Sequence, residues 1–242
     1  MRKTFGEYKA PGMAEAEPLG PTDGEINFFW SFIQGSLMNE ETWFALVRGC
    51  GFCERHAWIH IGIEMSFRGD YLLGPTILYG ELIDRAVRGI GDRASARPLL
   101  AQRRLQATGP CFVCALSVKG ATAGACPQSR LKRGRDDGEL RAFAKRTEPL
   151  WQKFLCSECL GQEFDTADAR RCRRHLLAAF DRGTHVDFAK QKTMLEDLSM
   201  RLARHQASFI AGGEEADDLV RAALIAAIGW CSGWRSLLAR LT

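Results

Sequence analysis

Apolar residues recur at helical spacing along most of the chain, most clearly near its C-terminal end. One stripe consists of Phe188, Leu195, Leu198, Leu202 and Phe209. Residues spaced in this way share one face of an α-helix. The glycines at 212 and 213 then interrupt the pattern, as glycine does where helices end. A helix followed by a tight turn is therefore predicted.

A second apolar stripe follows those glycines and steps alternately by four and three residues. Its members are Val220, Leu224, Ala227, Cys231, Trp234, Leu238 and Leu241. Acidic residues precede it, and negative charge favours the start of a helix. The two stripes together predict an antiparallel helical hairpin that closes the chain. Because Cys231 lies on the stripe, we interpret it as a packed core thiol.

The middle of the chain carries the same helical signal. Residues 26–49 are rich in aromatic side chains and predict two short helices, whereas residues 53–68 and 75–88 predict one helix each. Residues 120–138 combine glycine, proline, serine and mixed charge, which predicts a loop. Alternating β-branched runs are scarce. We therefore expect an all-α fold, an irregular helical bundle.

Composition divides the chain into three predicted parts. Residues 1–25, rich in Gly, Pro, Ala and Glu, predict a flexible N-terminal arm. Residues 26–184 predict a helical region that contains all but one of the cysteines, and residues 185–242 predict the hairpin packed on it. The arm has no hydrophobic leader, and no apolar run is long enough to cross a membrane. We expect a cytoplasmic protein without a membrane partner.

The 242-residue chain is 46% hydrophobic and carries a net charge of +4, too small by itself to indicate a nucleic-acid partner. Its nine cysteines are an odd number. In a reducing compartment such thiols stay free or bind metal, so we favour metal over a disulfide framework.

Four Cys/His pairs are the most informative chemical feature. They are Cys53/His56, Cys111/Cys114, Cys156/Cys159 and Cys172/His175. Each pair places two ligands three positions apart, so that one turn of backbone can offer both to one ion. Four pairs make eight ligands, enough for two tetrahedral zinc sites. The expected cofactor is one or two Zn²⁺ ions. We therefore expect the helical bundle to be organised around one or two Cys/His zinc sites, with residues 26–184 as the helical Cys/His metal-binding region.

The pairs can combine in more than one way. Cys156/Cys159 and Cys172/His175 form the most specific signal, C-x2-C-x12-C-x2-H, because pairs close in sequence lose little loop entropy. Cys53/His56 and Cys111/Cys114 would then form a second site of the same composition. An all-cysteine site from Cys111/Cys114 and Cys156/Cys159, a union of Cys111/Cys114 with Cys172/His175, and an iron–sulfur cluster remain alternatives.

The sequence leaves the roles of three further residues undecided. His60 follows His56 by one helical turn and is an extra ligand, a partner of a ligand or a core histidine. Cys50 and Cys53 enclose Gly-Phe in a redox-like motif, but that motif needs a preceding strand; Cys50 could also replace Cys53 as a ligand. Cys126 has no partner in the sequence pattern.

The stretch Gly51-Phe52-Cys53-Glu54-Arg55-His56-Ala57-Trp58 resembles the Gly-Phe-Cys-x-x-His-Ala-Trp signature of an uncharacterised bacterial family of helical proteins, a domain of unknown function. That family carries two Cys-Pro-x-Cys … Cys-x-x-His-Leu units and a closing helical hairpin. Cys111–Cys114 and Cys172–Leu176 resemble its second unit. The chain departs from the pattern at residues 27–30, where the first CxxC would lie, and in the added Cys156/Cys159. The resemblance implies a helical fold and metal, not an activity.

These observations favour a zinc-binding helical protein with structural sites and a binding or regulatory role, toward an unidentified protein or small molecule. The alternative is a metal-dependent enzyme with an open site at Cys53, His56 and His60 and Glu64 as general base; no common catalytic motif supports it. A redox sensor is a third reading. Arginines around Cys172 could bind phosphates, but they also suit the negative charge of a Cys₃His zinc site, so nucleic acid is not favoured.

Overall fold

The computed structural model describes residues 20–35, 39–69, 71–91, 98–116, 126–161, 170–184, 186–210 and 212–241. These residues contain helices and no strand, so the predicted all-α fold is confirmed for them. The α-helices are α1 (Asp23–Phe32), α2 (Glu40–Arg48), α3 (Glu54–Arg68), α4 (Leu73–Ile90), α5 (Pro98–Leu105), α6 (Phe112–Ala115), α7 (Gln128–Gly134), α8 (Gly138–Arg146), α9 (Glu148–Trp151), α10 (Arg173–Asp181), α11 (Phe188–Ala207), α12 (Asp218–Ser232) and α13 (Arg235–Leu241). Short 3-10 helices span Gln152–Phe154 and Glu158–Leu160.

Helix α1 begins inside the segment that the sequence assigned to the N-terminal arm. A reciprocal capping box fixes its start: the Thr22 hydroxyl accepts a hydrogen bond from the Glu25 N–H at 3.2 Å, and the Glu25 carboxylate accepts one from the Thr22 N–H at 2.7 Å. Glu25 is fully buried. Residues 1–19, which make up most of the predicted arm, lie outside the described residues.

The core is built around α3 and α12, which are buried on nearly every side. Every residue of α3 from His56 to Ser66 is buried, and so are most residues of α12. Helix α11 lies against α4 and α12, as expected for the predicted closing hairpin. The burial of α3 and α12 on nearly every side places these two helices in the interior of the bundle. None of the described helices is both long and apolar enough to span a membrane.

The second stripe of the hairpin is not one helix, as its periodicity predicted, but two. Gly233 ends α12 with φ = +123°, and α13 starts two residues later. The Trp58 indole N–H donates to the Gly233 carbonyl at 2.8 Å, and the Glu54 carboxylate accepts from the Ser236 N–H at 2.8 Å. Helix α3 therefore imposes the break, which periodicity alone does not reveal.

The predicted loop at residues 120–138 is wrong for its described part. Helix α7 occupies residues 128–134 and packs against α1 and α3. Ser66 and Arg133 exchange two hydrogen bonds: the Ser66 hydroxyl donates to the Arg133 carbonyl at 2.6 Å, and the Arg133 Nε donates to the Ser66 carbonyl at 2.8 Å. Tertiary contacts thus support a helix that local composition disfavours. Residues 117–125 lie outside the described residues.

Candidate metal centres

Cluster 1 consists of Cys53, His56, Cys111 and Cys114. Each of its two pairs begins a helix: Cys53 is the N-cap of α3, and Cys111 is the N-cap of α6. Helix N-termini carry partial positive charge, which favours a thiolate there. A hydrogen bond of 2.9 Å from the Thr108 N–H to the Arg48 carbonyl holds the segment before α6 against the end of α2. The two pairs are thereby brought together.

The ligand atoms of cluster 1 have the separations that a tetrahedral ion requires. The Nδ1 of His56 lies 3.2 Å from the sulfur of Cys53, 3.5 Å from that of Cys111 and 3.4 Å from that of Cys114. The sulfurs of Cys53 and Cys114 are 3.9 Å apart. Around a tetrahedral ion, Zn–S bonds of about 2.3 Å and Zn–N bonds of about 2.0 Å place two sulfurs about 3.8 Å apart and a sulfur and a nitrogen about 3.5 Å apart. The donor set therefore fits zinc.

A buried carboxylate orients the imidazole of cluster 1. The Nε2 of His56 lies 2.9 Å from Oε1 of Glu25, so the ring donates from Nε2 while Nδ1 faces the sulfurs. Glu25 also forms an ion pair with Arg55 at 2.8 Å. Burial by itself raises the pKa of the Glu25 carboxyl, but the bonds from His56, Arg55 and the Thr22 N–H outweigh it and hold that pKa well below its ordinary value.

Cluster 2 consists of Cys156, Cys159, Cys172 and His175. The Nδ1 of His175 lies 3.2 Å from the sulfur of Cys156, 3.4 Å from that of Cys159 and 3.3 Å from that of Cys172. The sulfurs of Cys159 and Cys172 are 3.9 Å apart. These separations also fit a tetrahedral zinc ion.

Two interactions hold the segments of cluster 2 together. The Ser157 N–H donates to the Arg170 carbonyl at 3.0 Å. This bond lies one residue after Cys156 and two residues before Cys172 in the chain. The buried Arg171 pairs with Glu158 at 3.2 Å. Cys172 is the N-cap of α10 and places His175 in the first turn of that helix. His175 is half-buried, and no described residue bonds to its Nε2, so cluster 2 has no counterpart of Glu25 among the described residues.

Hydrogen bonds between the thiols of each cluster shift their pKa values in opposite directions. In cluster 1, a hydrogen bond from Cys53, together with one from His56, lowers the pKa of Cys111 to about 3, and the same bond raises the pKa of Cys53. In cluster 2, the pKa of Cys156 is lowered by its bonds to the other two thiols, whose pKa values are raised. Several adjacent thiolates repel one another, so only a bound cation lets them ionise together.

The other histidine and cysteines that the sequence analysis considered, His60, Cys50, Cys126 and Cys231, lie outside both clusters. His60 is buried against the rings of Phe29, Phe32 and Phe52 and lies 3.1 Å from Glu64. The thiol of Cys50 donates to the Leu105 carbonyl at 3.7 Å. Cys231 is buried in the core, as the stripe predicted. The thiol of Cys126 lies 4.0 Å from the Pro127 carbonyl and 4.0 Å from the guanidinium of Arg130 at the start of α7. All nine cysteines are free of disulfides.

The geometry thus selects one of the pairings that the sequence left open. The two Cys₃His sets are those expected from C-x2-C-x12-C-x2-H and from the remaining two pairs. The all-cysteine union and the replacement of Cys53 by Cys50 do not occur. Sequence reasoning missed Glu25 and Glu158. The Thr22-x-x-Glu25 pattern of a capping box was the available signal for the first; no sequence pattern marks the second.

Comparison with protein-family models, with curated proteins and with solved structures finds no match. The resemblance to a bacterial family therefore stays a prediction.

Proposed function

We propose that this protein is a zinc-binding helical protein whose two Cys₃His sites are structural, and that its role is binding or regulation rather than catalysis. The observation that carries the proposal is the presence of two complete four-donor sets, each drawn from two separate segments of the fold. Metal-ligand bonds across such segments contribute directly to folding.

A structural role follows from the number of donors. A catalytic zinc keeps one position open for water or substrate, whereas a structural zinc has four protein ligands. Both clusters offer four. Imidazole in both sets and S–N separations close to those of zinc favour zinc over an iron–sulfur cluster, whose ligands are mainly thiolates.

The enzyme hypothesis requires His60 as a metal ligand, and the structure places His60 elsewhere. His60 faces an aromatic cage and Glu64, not the ligands of cluster 1. An open site made of Cys53, His56 and His60 would have to displace Cys111 and Cys114 from their positions around His56. We therefore do not assign a catalytic role to cluster 1.

The arginines near cluster 2 support a structural reading over nucleic-acid binding. Arg170 donates to the Lys153 carbonyl, Arg171 pairs with Glu158, and Arg173 donates to the Cys231 and Leu105 carbonyls. Arg171 is buried, Arg173 is partly buried and Arg170 is exposed; all three bond to other parts of the protein, and their charges also offset the net negative charge of a Cys₃His zinc site. Nine free thiols fit a reducing compartment such as the cytoplasm.

Elemental analysis of the purified full chain tests the proposal. We expect two zinc ions per chain, one fewer in Cys111→Ser, one fewer in Cys172→Ser, and two in the matched control Cys126→Ser, whose thiol lies in neither cluster. Iron with visible absorbance, or a full zinc complement in both cluster variants, would contradict the assignment.

A further inference from the structure

A cavity of about 190 Å³ lies between the end of α1, the second half of α3 and the first turn of α4. Most of its walls are apolar. They include Phe32, Ile33, Tyr71, Leu73 and Ile77. Two charged side chains, Glu64 and Arg68, also line it. None of the zinc ligands does, so this cavity is separate from both clusters.

Glu64 and Arg68 are held apart although their spacing favours contact. They lie one turn apart on α3, and glutamate followed by a basic residue at this spacing usually forms an ion pair. In the part of the chain that the structure describes they form none. Glu64 lies 3.1 Å from Nε2 of His60, and Arg68 donates to the Ile33 carbonyl at 2.6 Å. Opposite charges therefore face one apolar cavity without neutralising each other.

The negative side of the cavity is buried and incompletely bonded. Glu64 is 4% exposed and His60 is 1% exposed. Their contact has the distance of an ion pair but not the geometry of a hydrogen bond, and neither nitrogen of His60 has a hydrogen-bond partner among the described residues. A buried carboxylate is costly unless donors satisfy it. The Glu64 carboxylate can therefore accept a hydrogen bond from a cationic donor in the cavity.

The positive side of the cavity combines a guanidinium with a helix N-terminus. Arg68 has N–H groups beyond the one that the Ile33 carbonyl accepts. Leu73 and Gly74, which line the cavity, form the start of α4, and its N-cap residue Leu72 provides no side-chain cap. The first N–H groups of a helix carry partial positive charge and favour an anion.

We propose that this cavity binds a small zwitterion with an apolar side chain, a free amino acid of the leucine class. Its ammonium group pairs with Glu64, its carboxylate meets Arg68 and the start of α4, and its side chain packs against Phe32 and Ile77. A volume of about 190 Å³ corresponds to roughly six water molecules, enough for such a molecule. The proposal does not depend on the zinc assignment.

Isothermal titration of the full, metal-loaded chain with three probes tests this. The probes are leucine, 3-methylbutylamine, which lacks the carboxylate, and 4-methylpentanoate, which lacks the amine. We expect saturable binding of leucine and affinities roughly tenfold lower or more for each analogue, because each leaves one charged group of the cavity unpartnered. Absence of saturable leucine binding, or equal affinity for leucine and either analogue, would overturn the proposal.

Variants locate the site. In Glu64→Gln the preference for leucine over 4-methylpentanoate should vanish, and in Arg68→Gln the preference over 3-methylbutylamine should vanish. Glu81→Gln, which removes an exposed partner of Arg88 on α4, is the matched control and should bind as the parent does. Ile77→Trp fills the cavity while keeping both charges and should abolish binding; binding by this variant at parental affinity would overturn the proposal. Circular dichroism and zinc content verify that each variant is folded.

Discussion

Oε1 of Glu25 lies 2.9 Å from Nε2 of His56, and the same carboxylate caps helix α1. One buried side chain therefore joins the start of the described fold to the imidazole of cluster 1. Carboxylates in this position fix the ring orientation and raise the basicity of the metal ligand. Thr22, Glu25 and His56 thus couple a helix start to a candidate metal site.

Replacing that carboxylate should weaken metal binding at cluster 1 alone. We expect Glu25→Gln to lower the zinc affinity of cluster 1 by about 10- to 100-fold, the usual effect of losing such a partner. Competition with a chromophoric chelator measures this, with the exposed Glu40→Gln as control. An unchanged affinity would show that Glu25 only caps the helix.

Removing the metal should lower the helix content and the thermal stability of the protein. Structural zinc contributes about 10–16 kcal/mol of apparent binding free energy in small zinc domains. Cluster 1 joins residues that are up to 61 positions apart in the chain. We expect a strong chelator to reduce helical circular dichroism and the melting temperature, and added zinc to restore both. A metal-free chain that melts like the metal-loaded one would argue against structural sites.

A single ligand change should act locally. We expect Cys159→Ser to lose the zinc of cluster 2 and to loosen residues 155–161 and 170–184, because a structural site collapses when one thiolate is lost. Hydrogen exchange of those residues, compared with the segment around cluster 1, is the measurement. Retained metal with an unchanged thermal melt would remove Cys159 from the ligand set.

The buried tryptophan pair offers a test of the core. Trp234 is fully buried, and its ring stacks on that of Trp151 with centroids 5.7 Å apart. We expect Trp234→Ala to lower the free energy of unfolding by about 3–5 kcal/mol, as large-to-small core changes do. Denaturant titration compares it with Trp43→Ala, whose side chain is only partly buried. Equal stability of the two variants would contradict the core assignment.

The break between α12 and α13 should depend on one glycine. At Gly233 the backbone has φ = +123°, and an added Cβ would meet the carboxylate of Glu54 at 2.5 Å. We expect Gly233→Ala to lower stability by at least about 1 kcal/mol, because the native conformation is incompatible with a side chain. Gly109→Ala is the control, since its Cβ meets no atom within 4 Å. Thermal denaturation separates the two, and a neutral Gly233→Ala would show that the break does not need glycine.

The sequence by itself determined the helical class and the ligand inventory. Apolar spacing of three and four residues marks buried helix faces whatever the tertiary arrangement, so α11 and most of α12 were predictable. Cys/His spacing of three positions is likewise a local property, because one turn of backbone brings both ligands to one side. For the same reason the short C-x2-C-x12-C-x2-H unit was predicted without knowledge of the fold.

Only the tertiary structure decided how distant parts meet. It placed Cys111/Cys114 beside Cys53/His56, enclosed His60 in phenylalanine rings and turned the predicted loop at residues 128–134 into a helix. These outcomes depend on packing between segments far apart in the chain, and local propensity carries no information about such contacts. The separation of Glu64 from Arg68 also depends on tertiary packing. Both residues belong to α3, but the cavity that they line exists only because α1 and α4 pack beside that helix.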